Sequence, residues 1–418
     1  MGIISFRAVP RVLKVISHYF GLAWTPCHFT SVINWCLKVG LYKLTHVFPW
    51  SIQWTALVDA SIEWGNKKML VILRVPTLLM ATRSAALSFK DVEVVGLFVK
   101  EVINGEVIVD LLKATFAQVG VPCQILTDGG SDLAKGVRMT LDSCASPSPQ
   151  CVHTLDIGHF AANVLKHVYI DNEQFKQLVA FATQIGSKLR QTVAAWVIPN
   201  KLRTKARFQS ISELAHWAKK SFEYCKKHLI NCEEKTRNLL EENFQGHEYL
   251  VEFSERFTTD CQVVNEVLMT VKNNGLSKET YSKSMKILSR LKSGSEIRQP
   301  LEKYLTTTFQ SMSSQGIATS IISTDVIESL FGKIKSIIER SPTKDFNRLC
   351  LLLPHLVGDL DEDSIIKGIK EIKMKDIQHW DEENIKETLL RKKRKEFAKL
   401  RPNRNIPKHA KIQLENGP

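Results

Sequence analysis

Gln124-Ile-Leu-Thr-Asp-Gly-Gly-Ser-Asp-Leu133 reads as a short apolar strand that delivers an acid, Asp128, to a two-glycine turn before a helix. The glycines permit a tight turn and let a phosphate backbone approach closely. In an open α/β sheet, ligands gather outside the carboxyl ends of the strands, which is where such an acid would stand. Asp132 is read instead as the N-cap or first-turn acid of the next helix.

Working outward, Trp54-Thr-Ala-Leu-Val-Asp59 is a second strand ending on an acid. Residues 55, 57 and 59 share one face and 54, 56 and 58 the other, with apolar residues on both, so the strand should be central. An acid there is costly unless it is paired, hydrogen-bonded or bound to metal, and a solvated strand end is the bland alternative. The β-branched and apolar runs Lys68–Leu73 and Val92–Val99 predict two further strands. A helix follows from Gly105 to about Gln118, with Gly120 ending it. After the helix starting near Ser131, a Ser/Pro loop at 146–149 leads to a strand over Cys151–Ile157. Three strands, helix, strand, helix, strand is the order of a ribonuclease H-like α/β domain, and its strand-helix-strand passages imply parallel pairing.

From about Asn172 to Gln310 the strand signals fade, and apolar residues, Trp196 and Trp217 among them, recur at helical spacing. The expected fold is therefore an α/β ribonuclease H-like core with a large all-helical insertion, preceded by a small helical domain. The expected divisions are 1–48 (helix-turn-helix-like), 52–170 (first part of the core), 171–312 (insertion), 313–342 (the helix closing the core) and 343–418 (helical basic region and flexible tail). In the first, Thr25 is read as capping a helix that Pro26 begins and Gly40 ends. Thr30, Ser31 and Asn34 would lie near the exposed start of that helix, where a base reader sits; an ordinary helical hairpin is the competing reading. The chain begins almost on the first helix, which leaves open that this module is part of a larger one.

An amphipathic helix is expected from Thr324 to about Glu339, and in it Glu328 begins a Glu-x6-Lys that ends at Lys335. Positions 328, 331 and 335 fall on one stripe, so Glu328 can face the two aspartates while Lys335 meets phosphate. Asp325, one turn earlier, competes for the role. Asp156-Ile-Gly-His159 offers a histidine able to position a phosphate or protonate a leaving oxygen; helix capping by Asp156 and a packed His159 compete evenly with that reading. Glu63 is read as a surface carboxylate. Lys201, Arg203, Lys205 and Arg207 alternate along one segment and suit successive DNA phosphates or a solvated loop. Two carboxylates on strand ends and one on a later helix, Asp59, Asp128 and Glu328, can hold two Mg²⁺ (or Mn²⁺) ions, a pair suited to cutting phosphodiesters.

The formal charge of +14 over 418 residues favours a polyanionic partner. Nine cysteines without a Cys-x-x-Cys pair suggest a reducing compartment. Cys27, Cys36, Cys123 and Cys350 read as small buried hydrophobes. Cys144, Cys151 and His153 lack a second half-site and are not expected to bind zinc. No apolar stretch reaches membrane-spanning length, so a cytoplasmic protein and no membrane partner are expected.

The segments Trp54–Gly65, Leu126–Gly136, Asp156–Lys166 and Ser323–Lys335 together resemble a bacterial insertion-sequence transposase of the Asp-Asp-Glu type. Asp59, Asp128 and Glu328 fall where that superfamily carries its triad, and Glu-x6-Lys is similar to the signature of one large group. Ile321 and Thr324 stand where that group has Tyr and Arg. Asp-x-x-His after the second acid, with a long helical insertion before the Glu, is similar to the layout of the hAT superfamily. The resemblance covers most of residues 1–340. It implies binding of double-stranded DNA element ends and target, strand transfer, a homodimer or larger synaptic complex, and a nucleoid-associated location. A ribonuclease H-like nuclease, and a domesticated or decayed DNA-binding protein without catalysis, share these features.

Overall fold

The computed structural model describes residues 5–64, 66–143, 151–200, 211–339 and 345–399, with the side chains of 61–63 excepted. Two helices, α1 (Ala8–Tyr19) and α2 (Phe29–Thr45), precede a five-stranded mixed sheet. Its elements are β1 (Trp54–Trp64), β2 (Lys67–Pro76), β3 (Glu93–Lys100), α3 (Gly105–Val119), β4 (Gln124–Thr127), α4 (Ser131–Ser143) and β5 (Val152–Leu155). The spatial order is β3-β2-β1-β4-β5. The first three strands form an antiparallel meander, whereas β4 and β5 add on parallel to β1. Local signals explain the passage from β3 to β4. Asn104 caps α3 by accepting from the Val107 N–H at 3.0 Å, and Gly120, at φ +86°, ends it.

As its two apolar faces require, β1 is the middle strand. Ala56, Val58 and Ile125 pack under α3 and α4 with Ile108, Leu112 and Val137. Leu57 and Leu126 pack on the opposite face, beneath α12 (Asp325–Ile338), with Leu330, Phe331 and Ile334. Asp59 is not at the strand's end, contrary to expectation. β1 continues to Trp64 through a register shift between Asp59 and Ile62. It is the parallel pairing with β4 that stops, at Val58 opposite Thr127.

Between β5 and α12 run α5 (Ile157–Tyr169), α6 (Glu173–Lys188), α7 (Ile211–His228), α8 (Glu234–Phe244), α9 (Leu250–Asn274), α10 (Lys278–Leu288) and α11 (Arg298–Ser314). They share one core around Phe175, Phe253 and Phe257. The expectation of an all-helical stretch needs one correction. Leu276–Ser277 (β6) pairs antiparallel with Thr319–Ser320 (β7), pinning the end of α9 to the chain just before α12. Gly275, at φ +67°, makes that turn.

The N-terminal helices differ from the expected module. Nine residues, not a three- or four-residue turn, join α1 to α2. His28, rather than Thr25, caps α2, its ring accepting from the Thr30 N–H at 3.4 Å. Nor does Gly40 end the helix. It lies inside α2 because a Cβ there would collide with the Leu351 carbonyl oxygen. This close approach docks α2 onto α13 (Leu352–Leu356) and α14 (Glu362–Glu371), where Lys38 Nζ donates to the Ile369 carbonyl at 3.0 Å. The chain ends, as described, in α15 (Met374–Asn384) and α16 (Leu389–Lys399). α16 carries the basic run Arg391–Lys395, and the expected flexible tail lies outside the described residues. Among the described residues, no helix is long and apolar enough to cross a membrane.

Candidate active site

Register brings the two aspartates together. With Val58 opposite Thr127 on parallel strands, Asp59 and Asp128 are the next residues along, and side-chain alternation sends Asp59 to the face that holds Leu57 and α12. Gly129, at φ +84°, turns the chain, and the Gly130 N–H donates to Asp128 Oδ1 at 2.8 Å. Asp128 is half-buried, whereas Asp59 is only 5% exposed. Burial and the neighbouring Asp128 carboxylate push the Asp59 carboxyl up to about 7. A hydrogen bond from Ala60 offsets part of this, Glu328 adds to it, and His159 opposes it.

Glu328 arrives on the first turn of α12. Burial raises its carboxyl above the usual range, with His159 and Lys272 pulling down and Asp156 and Asp325 pushing up. Asp325, its competitor one turn earlier, is ion-paired: both Asp325 oxygens lie 2.8 Å from Lys272 Nζ on α9. Lys335 stands two turns beyond Glu328, about 10 Å along the axis. The lysine whose charge acts on Glu328 is Lys272, from a distant segment and without a motif of its own.

Asp156 explains how α5 and α12 meet. It caps α5, its Oδ1 accepting from the His159 N–H at 2.7 Å. Its Oδ2 accepts from the Thr324 N–H at 2.6 Å and the Thr324 hydroxyl at 3.0 Å, at the start of α12. Burial alone would raise Asp156, but hydrogen bonds from His159 and Thr324 hold it below the usual carboxylate range. Capping and a functional histidine are therefore compatible here. His159 Nδ1 lies 3.2 Å from Asp156 Oδ1 and Nε2 lies 3.4 Å from Glu328 Oε1. The Asp156 hydrogen bond lifts the imidazole to about 9, so it is a cation at neutral pH. A cavity of about 260 Å³ between α5, α9 and α12 opens beside these groups, with Gly158, Lys272 and Glu328 in its wall.

The donor set is oxygen from carboxylates, which suits Mg²⁺ or Mn²⁺. Among the described residues, no three His, Cys, Asp or Glu side chains converge as a preformed metal site. An ion here would share two carboxylates and take its remaining ligands from water and substrate oxygens, the usual habit of Mg²⁺.

Other expected residues lie elsewhere. Thr30 is exposed with its hydroxyl 2.9 Å from His28 Nδ1, while Ser31 and Asn34 are half-buried on α2. Lys201, Arg203, Lys205 and Arg207 lie outside the described residues, as do Cys144 and the side chain of Glu63. His153 is held by the Thr127 hydroxyl at 2.9 Å. Cys123 and Cys350 are buried, but Cys27, before α2, and Cys36, on it, are only half-buried.

No family model and no curated protein matches the chain. Among solved structures, it aligns with the "Drosophila P element transposase strand transfer complex" at a TM-score of 0.41 and 10% identity, over 87% of this chain and 94% of that one.

Proposed function

We propose that the carboxyl edge of β1 and β4 is the centre of a metal-dependent phosphodiester-cutting enzyme, a DNA transposase with a ribonuclease H-like core. The observation that carries this reading is Asp59. It is an acid from the middle strand, buried beside two further carboxylates from segments about 70 and 270 residues away, and burial and their repulsion push it up to about 7. Such a concentration of like charge is costly to a fold and useful to a cation site. Asp59, Asp128 and Glu328 would hold two Mg²⁺ or Mn²⁺ ions, which when bound would supply charge neutralisation and an activated attacking oxygen.

The chain's own groups do the remaining work. Asp156 sets the approach of α12 and hence the place of Glu328. His159, protonated at neutral pH, would hold a phosphate oxygen or donate a proton to the departing one. Attack by water forms one P–O bond as another breaks and leaves a 3′-hydroxyl. Attack by that hydroxyl on target DNA repeats the exchange without a protein-bound intermediate. Double-stranded DNA is the partner, and the charge of +14 supports it.

Incubation of the protein and Mg²⁺ or Mn²⁺ with labelled duplex DNA tests the reading, followed by presentation of a 3′-hydroxyl end to a second duplex. Cleavage and joining that are both lost in Asp59→Asn are expected. Cleavage without joining marks a nuclease instead, and binding without cleavage marks a non-catalytic DNA-binding protein.

A further inference from the structure

The helical segment between α5 and α12 holds a second constellation, separate from the acids. Trp217, Lys220, Tyr224, Lys227 and His228 follow one another at three- and four-residue steps, or one residue apart at the end, so they share one side of α7. Opposite them a single helical turn, Ala195–Val197, sets Trp196 against Tyr224, edge to face, with ring centroids 4.8 Å apart. The Trp217 indole N–H donates to the Val197 carbonyl at 2.6 Å, which fixes that turn to α7. Beside the rings lies a cavity of about 440 Å³, with Glu223 as an acid in its lining.

A lone exposed aromatic residue is ordinary. Here three rings border one cavity, Trp196 remains 55% exposed, and Lys220, Lys227 and His228 stand exposed around it. Flat apolar faces bordered by cations match an unpaired nucleotide, whose base stacks while its phosphates meet lysine. A paired base has its faces covered by its neighbours in the stack, so a duplex offers nothing for these rings.

We propose that this cavity binds an unpaired nucleotide of a DNA strand. The base stacks on the exposed face of Trp196, which Tyr224 braces edge to face, and the flanking phosphates lie against Lys220 and Lys227. The choice of DNA over RNA rests on the function proposed above; the stacking site itself does not involve Asp59, Asp128 or Glu328.

The test measures binding of a labelled oligothymidylate of about fifteen residues, a length that spans one such platform. An oligouridylate of equal length and a duplex are the other arms. All are run without divalent metal, so the result is independent of whether the acids cleave. Tight single-strand binding with quenching of tryptophan fluorescence is expected. Trp196→Ala should weaken it about tenfold or more and leave duplex binding unchanged, while Trp196→Phe, which keeps a ring, stays within about threefold of the wild type. Lys220→Ala should lower the salt slope of single-strand binding by about 0.7. Equal loss in the Ala and Phe variants, equal loss for single strand and duplex, or no loss at all overturns the site. Tighter binding of oligouridylate than of oligothymidylate overturns the assignment to DNA.

Discussion

Two regions of this chain bury carboxylates and treat them in opposite ways. Near the C-terminus, Asp381 is gripped by Arg391 of the basic run, and Asp345 accepts from the Leu389 N–H. Lys67 Nζ closes the same corner by donating to the Ile385 and Glu387 carbonyls at 2.6 Å each. At the carboxyl edge of the sheet, Asp59 is as buried as those acids, yet Asp128 and Glu328 press on it. In the first region charge holds helices to a strand. In the second it accumulates, with Asp156 tied off as scaffold and His159 and Lys272 as cations among the acids. A buried acid with its own donor is architecture, and one crowded by other acids is poised for a counter-charge from outside.

The same change made in both regions tests this contrast most strongly. Asp128→Asn should lower metal-dependent cleavage about a thousandfold or more without lowering the unfolding temperature. A variant that cleaves within tenfold of wild type removes Asp128 from the site. Asp381→Asn should do the reverse. Denaturant unfolding should show a loss of about 2 kcal/mol, moderated because Arg391 is half exposed, while the folded fraction cleaves normally.

Next in size is the pH dependence of the metal-free protein. The Asp59 carboxyl is raised in the fold to about 7 from an ordinary 3.8. Between those values the folded state keeps a proton that the unfolded state has lost, so this group makes stability fall as pH rises. Melting curves from pH 4 to 8 should show that slope; Asp59→Asn should flatten it, and Mg²⁺ should recover stability at the alkaline end. An unchanged slope in the variant would separate Asp59 from the charge cluster.

The smallest effect is expected at Lys272→Met. Its partner Asp325 is half exposed, so stability should change by less than about 1 kcal/mol. Lys272 helps hold Glu328 down, so the onset of cleavage should move to higher pH. A rate profile that does not move would confine Lys272 to tethering α9 to α12.

Element order was legible because it is written locally. Alternating or continuous apolar runs mark β1 to β5, Asn104 and Gly120 bracket α3, and Gly129 turns the chain after Asp128. The candidate acids could be named for the same reason, since an acid closing an apolar run stands out within a few residues. Gly40 misled because a glycine that ends a helix and one that admits another chain's backbone look alike until the neighbour is known; here it is Leu351. Asp325 and Glu328 were likewise equivalent on one helix turn, and the difference in their partners, an ion pair to Lys272 for Asp325 and His159 for Glu328, comes from segments more than fifty residues away. Nothing near Asp156 announced that it would receive the start of α12. Periodicity, caps and turns are properties of consecutive residues, so the sequence alone determined which strands and helices form and which acids were candidates. What each acid meets depends on sheet register and helix docking, which are set by side chains hundreds of residues apart, and that only the tertiary structure decided.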